Sequence, residues 1–317
     1  VCSSDLMKLD DVKGFSTEKI LLPEDNEGKV EATLIKKASD KSSEKAILYI
    51  HGFVDYFFQY HFADWLVDNG WNFYALDLRK YGRSMLQHQK PNMISDLQDY
   101  FNEIDISIDL IKSRDKNDKV VMIGHSTGGL ISSLYADYHK DDNKIDGLIL
   151  NSPFFEFNNP PWFRKVVLPI VAKLGRKFPK LQSPEGLKEG YATSIHKDYH
   201  GMWEFDLDKK PIGGFSINFG WISAIFYGHR SLQSGLDIKV PILVMYSSKS
   251  VKPGRYNENM HSADAVLNVD HIKQYSKVLG RKVKTAEIQN GIHDLVLSNE
   301  KARKIVYTNI SEFLNLY

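Results

Sequence analysis

The chain has 317 residues, enough for one large α/β domain with an insertion or for two domains. Hydrophobic residues make up 42% of it and charged residues 26%, the proportions of an ordinary globular protein. Its formal net charge of +1 gives no electrostatic reason to expect nucleic acid as the main partner. Its single cysteine, Cys2, excludes an intrachain disulfide and a cysteine-based metal site.

The N-terminal region shows no pattern of a membrane anchor or a secretion signal. No apolar run reaches the ~18–20 residues of a membrane span, and the first residues lack a basic and then apolar signal pattern. We therefore expect a cytoplasmic protein without a transmembrane segment. Because Met7 resembles a natural start, we expect residues 1–6 to be non-native and residues 1–14 to form an N-terminal tail.

Short β-type runs alternate with helix-like stretches over residues 15–151, which we predict to be the first part of an α/β core. The predicted strands lie at residues 15–22, 29–36, 46–50, 72–76, 119–123 and 147–150. The predicted helices lie at residues 62–69, 96–113 and 129–138. Repeated βα units of this kind predict a mostly parallel sheet with helices on both faces.

The alternation stops at residues 152–236, which we call the inserted segment and predict to be a cap. This segment is rich in proline and aromatic residues. The second part of the core follows at residues 237–317. Its predicted strands lie at residues 240–246 and 283–288, and its predicted helices at residues 269–279 and 301–316.

Residues 124–128 read Gly-His-Ser-Thr-Gly, a G-x-S-x-G pattern between a predicted strand and a predicted helix. A strand that turns sharply into a helix needs small residues two before and two after the turn, and Gly124 and Gly128 fill those positions. The turn would raise the Ser126 hydroxyl above the sheet, at a helix N-terminus that favours negative charge. We therefore predict that Ser126 is a nucleophile; an ordinary serine in a glycine-rich turn is the alternative.

A serine hydroxyl attacks well only when a base takes its proton and an acid orients that base. With a G-x-S-x-G turn of this type, the order along the chain is serine, acid, histidine. His293 follows the last predicted strand, in a loop that precedes the last helix. We therefore predict that His293 is the base.

The acid should follow the strand at residues 240–246, but the next four residues contain no carboxylate. Asp264 is the preferred acid, and Asp270 and Glu258 are the alternatives. Asp270 also has a structural explanation, because acidic residues are favoured at the start of a helix. Asp294, beside the histidine, is interpreted as a cap of its own loop.

A tetrahedral intermediate needs preorganised N–H donors for its oxyanion. We predict that the backbone N–H of Thr127, directly after the serine, supplies one of them. The loop after the strand at residues 46–50 reads His-Gly-Phe, and we predict that the N–H of Phe53 supplies the other.

With these motifs the chain resembles the α/β-hydrolase superfamily, and within it the branch of monoacylglycerol lipases, lysophospholipases and serine aminopeptidase-like proteins. The stretches that carry this resemblance are residues 51–53, 77, 81–84, 124–129, 240–244 and 291–294. Residues 55–59, 220–222, 263–269 and 293–298 resemble a bacterial subgroup of α/β hydrolases and lysophospholipases.

The resemblance implies an α/β-hydrolase fold with a mostly parallel, eight-stranded sheet and an inserted cap. It maps Ser126, Asp264 and His293 to a catalytic triad, and it implies no cofactor. A metal site is not expected either, because the sequence has no His-x-His or H-E-x-x-H pattern. Substrate contacts are expected at five further positions around the triad. They are His51, Gly52, Tyr56, His125 and Trp221. The long loop before the acid departs from the family pattern, which keeps Asp270 open as the alternative.

The inserted segment offers two signals about a partner. Its many aromatic residues either line a pocket for an acyl chain or aromatic ester, or simply form the core of the segment, which we favour for any one of them. Residues 162–180 carry six Lys and Arg residues and no acid, interleaved with apolar residues. We interpret this stretch as a solvated face, with weak contact to an anionic membrane surface as the alternative.

The leading hypothesis is a serine hydrolase of carboxylic esters, acting on monoacylglycerols, lysophospholipids or short acyl and aryl esters. An amidase or aminopeptidase with the same triad is the alternative. It would need an acidic pocket for the substrate amine, for which the inserted segment offers seven carboxylates. They are Glu156, Glu185, Glu189, Asp198, Glu204, Asp206 and Asp208. A non-catalytic binding protein is a weaker hypothesis, because both serine and histidine are present.

Overall fold

The protein is represented by a computed structural model, which describes residues 8–9, 14–183 and 186–317. The residues expected to be non-native, 1–6, and with them Cys2, lie outside the described residues. Within these ranges nine strands form one sheet. The strands are β1 (Lys8–Leu9), β2 (Ser16–Asp25), β3 (Gly28–Lys37), β4 (Lys45–Ile50), β5 (Asn72–Asp77), β6 (Lys119–His125), β7 (Gly147–Asn151), β8 (Ile242–Ser247) and β9 (Val283–Ile288).

The strands lie in the order β1-β2-β3-β5-β4-β6-β7-β8-β9. The pairings of β1 with β2, β2 with β3 and β3 with β5 are antiparallel, and all the others are parallel. The eight longer strands confirm the predicted mostly parallel sheet, and β1 adds two residues at its edge. The carboxyl ends of β4, β6, β7, β8 and β9 therefore meet at one edge, where ligand sites of parallel sheets form.

Helices cover both faces of the sheet, as the alternation predicted. They are α1 (Tyr60–Asp68), α2 (Phe101–Asp109), α3 (Thr127–Tyr138), α4 (Leu168–Lys177), α5 (Gly190–Ile195), α6 (Phe219–Gln233), α7 (Val269–Ser276) and α8 (Glu300–Leu314). Apolar side chains of α2, α3, α6 and α7 join one core cluster, and those of α1 and α8 join the other. In the part of the chain that is described, no helix has the length and apolar character needed to cross a bilayer.

The stretch predicted as one helix over residues 96–113 is divided in the structure. It begins as a 3-10 turn, Leu97–Tyr100, continues as α2 and ends in a π turn, Leu110–Arg114. Its apolar face remains fully buried through Ile104, Ile108 and Ile111. The periodicity thus predicted the buried face correctly, although the hydrogen-bond pattern changes along the stretch.

The inserted segment connects β7 to β8 and contains α4, α5 and α6. Helix α6 packs against α3 of the core, and α4 packs against α6. The backbones of α4 and α6 lie close together at Gly175: a Cβ atom there would overlap the carbonyl oxygen of Phe219. This glycine therefore sets how closely the two helices pack.

Replacing Gly175 by Ala should lower the free energy of unfolding by about 1–3 kcal/mol, because the overlap with a backbone carbonyl outweighs the better helix propensity of alanine. Gly254→Ala is the control, since a Cβ atom there has no neighbour within 4 Å. Urea denaturation of both variants measures the difference. Equal stability of the two variants would show that α4 moves away from α6 without cost.

Candidate active site

Ser126 occupies a sharp turn between β6 and α3. Its backbone has φ 52° and ψ −116°, a conformation that is strained for any residue other than glycine. The neighbouring glycines permit it: a Cβ atom at Gly124 would lie 2.6 Å from the carbonyl oxygen of Gly128, and one at Gly128 would overlap that of Ile50. The turn is fixed by the Ser126 N–H, which donates to the carbonyl of Asn151 at 3.1 Å.

His293 lies within hydrogen-bond distance of this serine. Its Nε2 is 3.0 Å from Ser126 Oγ, and its Nδ1 is 2.9 Å from Asp264 Oδ2. Because the carboxylate can only accept, Nδ1 carries the proton and Nε2 is free to accept from the serine hydroxyl. The exposed fractions are 7% for Ser126, 3% for His293 and zero for Asp264, so bulk water barely reaches the three groups.

Asp264 reaches the histidine because the long loop after β8 folds back on itself. The N–H of Asp264 donates to the carbonyl of Lys249 at 3.0 Å, and its carbonyl accepts from Val251 N–H at 2.8 Å. These bonds return the acid to the end of β8, where a shorter loop would have placed it directly. Its Oδ1 accepts from the N–H groups of Val266 and Leu267, both at 2.8 Å, which fixes the carboxylate.

The two alternative acids lie elsewhere. Asp270 is exposed in the first turn of α7, and its N–H is capped by the Asn268 side chain at 2.9 Å. Glu258 is exposed and accepts a hydrogen bond from the hydroxyl of Tyr256 at 2.8 Å. Of the three candidate acids, the structure brings only Asp264 to His293.

Two backbone N–H groups beside the serine have no acceptor among the described residues. They belong to Thr127, the first residue of α3, and to Phe53 in the loop after β4. This loop lies against the serine, because a Cβ atom at Gly52 would be 3.1 Å from Ser126 Cβ. The structure thus leaves two donors near Ser126 in the positions that the sequence predicted.

The structure engages the side chains of His51 and Tyr56, two of the expected substrate contacts, in hydrogen bonds within the protein. His51 is fully buried, with Nε2 accepting from Leu78 N–H at 3.0 Å and Nδ1 donating to the Gly52 carbonyl at 2.8 Å. Burial lowers its pKa, so the ring is neutral. The Tyr56 hydroxyl accepts from Asp206 N–H at 2.7 Å, in the inserted segment. Both side chains hold the loop after β4 in place, and substrate contact at either residue stays a prediction.

Gly52, His125 and Trp221 do lie around the serine. The His125 ring is 4.9 Å from that of His293, and its Nδ1 donates to the carbonyl of Asn151 at 3.2 Å. Burial lowers the pKa of His125. Trp221 of α6 stacks on Phe53, with ring centroids 3.9 Å apart. An aromatic surface from the inserted segment therefore adjoins one of the free N–H donors.

Asn151, which the sequence reasoning did not single out, joins the serine turn to the histidine loop. Besides accepting from Ser126 N–H, it donates through Nδ2 to Asp294 Oδ1 at 2.7 Å and accepts through Oδ1 from Leu295 N–H at 3.1 Å. The other carboxylate oxygen of Asp294 accepts from Gln59 Nε2 at 2.9 Å. Its place at the carboxyl end of a parallel strand was the signal that could have identified Asn151.

A buried ion pair connects the inserted segment to the loop that carries Phe53. Lys210 Nζ lies 2.6 Å from Asp55 Oδ1, and the two residues are 8% and 2% exposed. Burial raises the pKa of Asp55, but the charge and hydrogen bond of Lys210, together with smaller contributions from neighbouring groups, outweigh this and hold that pKa below its ordinary value. Asp55 in turn accepts from Gly52 N–H at 3.4 Å. Nothing in the sequence distinguished Lys210 from its neighbouring lysines.

Tyr191 of the inserted segment contacts the loop that carries His293. Tyr191 of α5 accepts a hydrogen bond from Asp294 N–H at 3.1 Å, and its ring centroid lies 5.4 Å from that of His293.

Among residues 8–9, 14–183 and 186–317, no group of three His, Cys, Asp or Glu side chains is arranged to hold a metal ion. The arrangement at Ser126 can perform nucleophilic attack and proton transfer with its own side chains.

A mostly parallel sheet of this order, with a serine at the turn after β6, is the architecture of α/β hydrolases. The model of the family described as serine aminopeptidase, S33, matches residues 41–302, so the chain belongs to that family.

Individual relatives agree with this assignment. The monoglyceride lipase of Saccharomyces cerevisiae is 28% identical over 171 residues, a match that spans 53% of this chain and about half, 54%, of the yeast protein. A soluble variant of that lipase, solved with a substrate analog, superposes with a TM-score of 0.70 at 19% identity and covers 94% of each chain. The monoacylglycerol lipase of Paleococcus ferrophilus gives 0.65 at 20% identity, covering 88% of this chain and 98% of its own. These superpositions confirm the α/β-hydrolase fold.

Replacing Lys210 by Met should cost about 3–5 kcal/mol of unfolding free energy at neutral pH, because it leaves the Asp55 carboxylate buried and unpaired. Lys209→Met, at a partly exposed neighbour, should cost less than about 1 kcal/mol. Because the folded-state pKa of Asp55 is lowered, the contribution of the pair is complete above about pH 4 and is lost as the pH falls further. Urea denaturation across this range measures both effects. An Asp55→Asn/Lys210→Met double variant as unstable as Lys210→Met alone would contradict the argument.

Proposed function

We propose that the protein is a carboxylic ester hydrolase in which Ser126 is the nucleophile, His293 the general base and Asp264 the acid that orients it. The observation that carries the proposal is the continuous hydrogen-bonded chain from Ser126 Oγ through both His293 nitrogens to Asp264. As Ser126 attacks an acyl carbon, Nε2 of His293 takes its proton, and Asp264 stabilises the imidazolium. The protonated histidine then donates to the leaving alcohol, and an acyl-enzyme remains.

The second half of the reaction uses the same groups. Water replaces the alcohol, His293 removes its proton, and the acyl-enzyme is hydrolysed. The N–H groups of Phe53 and Thr127 stabilise the oxyanion in both steps, since they adjoin Ser126 and have no acceptor among the described residues. The N-terminus of the 12-residue helix α3 adds a favourable dipole at the same place.

The substrates that we propose are esters with an apolar acyl group: monoacylglycerols, lysophospholipids, or short acyl and aryl esters. Supporting this, relatives of the chain are named monoglyceride and monoacylglycerol lipases. Aromatic side chains also surround the serine. Phe154, whose N–H donates to the Ser126 carbonyl at 2.9 Å, lies between Trp221 and Phe157. Such a wall suits a hydrocarbon chain better than a charged group.

We propose further that residues 152–236 act as a cap over this site, between core parts at residues 15–151 and 237–317. Three contacts support the proposal: Trp221 on Phe53, Lys210 on Asp55 and Tyr191 on the histidine loop. A cap explains why the serine and histidine are almost inaccessible although they lie at a sheet edge.

An aminopeptidase is the alternative, and the family description names that activity. It would need a carboxylate near the serine to bind the substrate amine. Glu156 pairs with Arg164 and Asp206 with Lys209, while Glu189, Asp198, Glu204 and Asp208 are exposed. Glu185 lies outside the described residues. Of the buried carboxylates beside the proposed triad, Asp55 is neutralised by Lys210, and Asp294 already accepts hydrogen bonds from the side chains of Asn151 and Gln59. Ester hydrolysis is therefore the better-supported activity.

Ser126→Ala should lower kcat/KM for p-nitrophenyl esters at least about 10⁴-fold, because it removes the attacking atom. Asp264→Asn should lower it about 10³–10⁴-fold, since the histidine loses the carboxylate that orients it. Asp270→Asn is the matched control and should stay within about twofold, because Asp270 is exposed and contacts no site residue. A larger loss from Asp270→Asn than from Asp264→Asn would assign the acid to Asp270.

Turnover of p-nitrophenyl esters from acetyl to palmitoyl, ranked against alanine and proline p-nitroanilides, should place the esters at least about 10²-fold ahead. The physical reason is that the buried carboxylates Asp55 and Asp294 are already engaged by protein donors, so neither is free to bind a substrate amine. Preference for the anilides would support the aminopeptidase. Turnover of neither class by a protein with a native circular dichroism spectrum would favour the non-catalytic binding protein.

A further inference from the structure

Helix α4 and the π turn before it, Phe163–Val167, expose a row of large apolar side chains. The row, which we call the apolar stripe, consists of Trp162, Val166, Ile170, Leu174 and Phe178, which are between 42% and 64% exposed. Residues four apart along a helix lie on one face, so the five form a continuous surface. The opposite face of α4 is the one that packs on the protein, through Leu168, Ala172 and Gly175.

The apolar stripe is flanked by positive charge. Lys173 and Lys177 each follow a stripe residue by three positions, and Lys165 and Lys180 stand at its two ends. These four lysines are exposed and have no acidic partner within the described ranges. Residues 162–180 contain no acid at all. An exposed apolar face bordered by unpaired cations is uncommon on a surface that contacts only water.

We propose that the apolar stripe and its four lysines dock on the surface of an anionic lipid bilayer. Apolar side chains of an interfacial helix enter the boundary between headgroups and acyl chains, while the cations attract anionic headgroups. The positive charge of the stripe favours an anionic bilayer over two other occupants, a protein partner and a second copy of this chain. Either of these would have to place acidic residues opposite the lysines, and a second copy has a net charge of +1. The stripe residues face solvent and do not form a core of the inserted segment, which agrees with the expected solvated face; the row of large apolar side chains on that face is our reason for proposing membrane contact, the alternative given by the sequence.

The position of the apolar stripe also relates to the proposed site. Helix α4 packs on α6, and α6 carries Trp221, which stacks on Phe53 beside Ser126. A bilayer bound at α4 would thus lie against the segment that covers the serine. Bilayer binding itself does not rest on the proposed ester hydrolysis, and the two are tested separately.

Vesicle co-sedimentation of the full chain carrying Ser126→Ala, which prevents hydrolysis of the lipid, tests the proposal. Binding should be strong to vesicles of phosphatidylcholine mixed with phosphatidylglycerol and at least about tenfold weaker to phosphatidylcholine alone. The variant with Lys165, Lys173, Lys177 and Lys180 all changed to Gln should lose at least about tenfold in affinity for the anionic vesicles, as each cation contributes roughly fivefold. The apolar variant, Val166→Ser, Ile170→Ser and Leu174→Ser, should lose a comparable factor.

Matched controls carry the same changes elsewhere. Four exposed, paired lysines changed to Gln give the same loss of net charge: Lys119, Lys239, Lys284 and Lys304. Leu21→Ser, Met202→Ser and Leu316→Ser remove exposed apolar side chains outside the stripe. Both control variants should bind the anionic vesicles within about twofold of the parent.

With Ser126 restored, the two stripe variants and the two control variants should hydrolyse p-nitrophenyl acetate at rates within about twofold of the wild type. A failure of the proposed ester hydrolysis would thus be distinguished from a failure of bilayer binding. If thermal denaturation shows that the apolar variant is unfolded, the variant with four Lys-to-Gln changes tests the proposal alone. Equal binding by stripe and control variants, or no binding to anionic vesicles, would overturn the proposal. The proposal would also be overturned if sedimentation velocity showed that the parent protein is a dimer and the apolar variant a monomer. That result would mean that the stripe binds a second copy of the chain.

Discussion

The strained backbone at Ser126 is the constraint on which the rest of the site depends. A serine at φ 52° persists only because β4, β6 and α3 approach so closely that the flanking positions admit no Cβ atom. The turn lifts the side chain off the sheet and points the first N–H of α3 toward the same space. Asn151 then ties this turn to the loop of His293, so that nucleophile and base share one rigid frame.

Much of the fold and part of the site could be predicted from the sequence, because they follow local rules. Alternating strand and helix patterns predicted the parallel sheet, and the glycine spacing together with chain order predicted Ser126 and His293 as partners. The distance from β8 to Asp264 obscured the acid, since only a folded loop shows that Lys249 and Asp264 pair. The roles of Lys210 and Tyr191 could not be predicted from the sequence, because their contacts join residues that are far apart in the chain.

Periodicity also could not reveal which side of α4 faces the protein. Val166, Ile170 and Leu174 have the spacing of a buried helix face, yet Gly175 packs on α6 and turns them toward solvent. The inserted segment therefore has two distinct sides. One side contacts the site through Trp221, Lys210 and Tyr191, as the proposed cap requires, and the other presents an apolar stripe with lysines that have no acidic partner among the described residues. The contacts that complete the site are thus on the same segment as the proposed membrane surface.

Covalent labelling measures whether Ser126 is an activated nucleophile. The protein would be treated with a fluorophosphonate, digested, and the modified residue located by peptide mass spectrometry. A single adduct on Ser126 is expected, strongly reduced in His293→Ala, because the hydroxyl loses its base. An adduct on another serine, or labelling of Ser126 that does not depend on His293, would contradict the role of Ser126 as a nucleophile activated by His293.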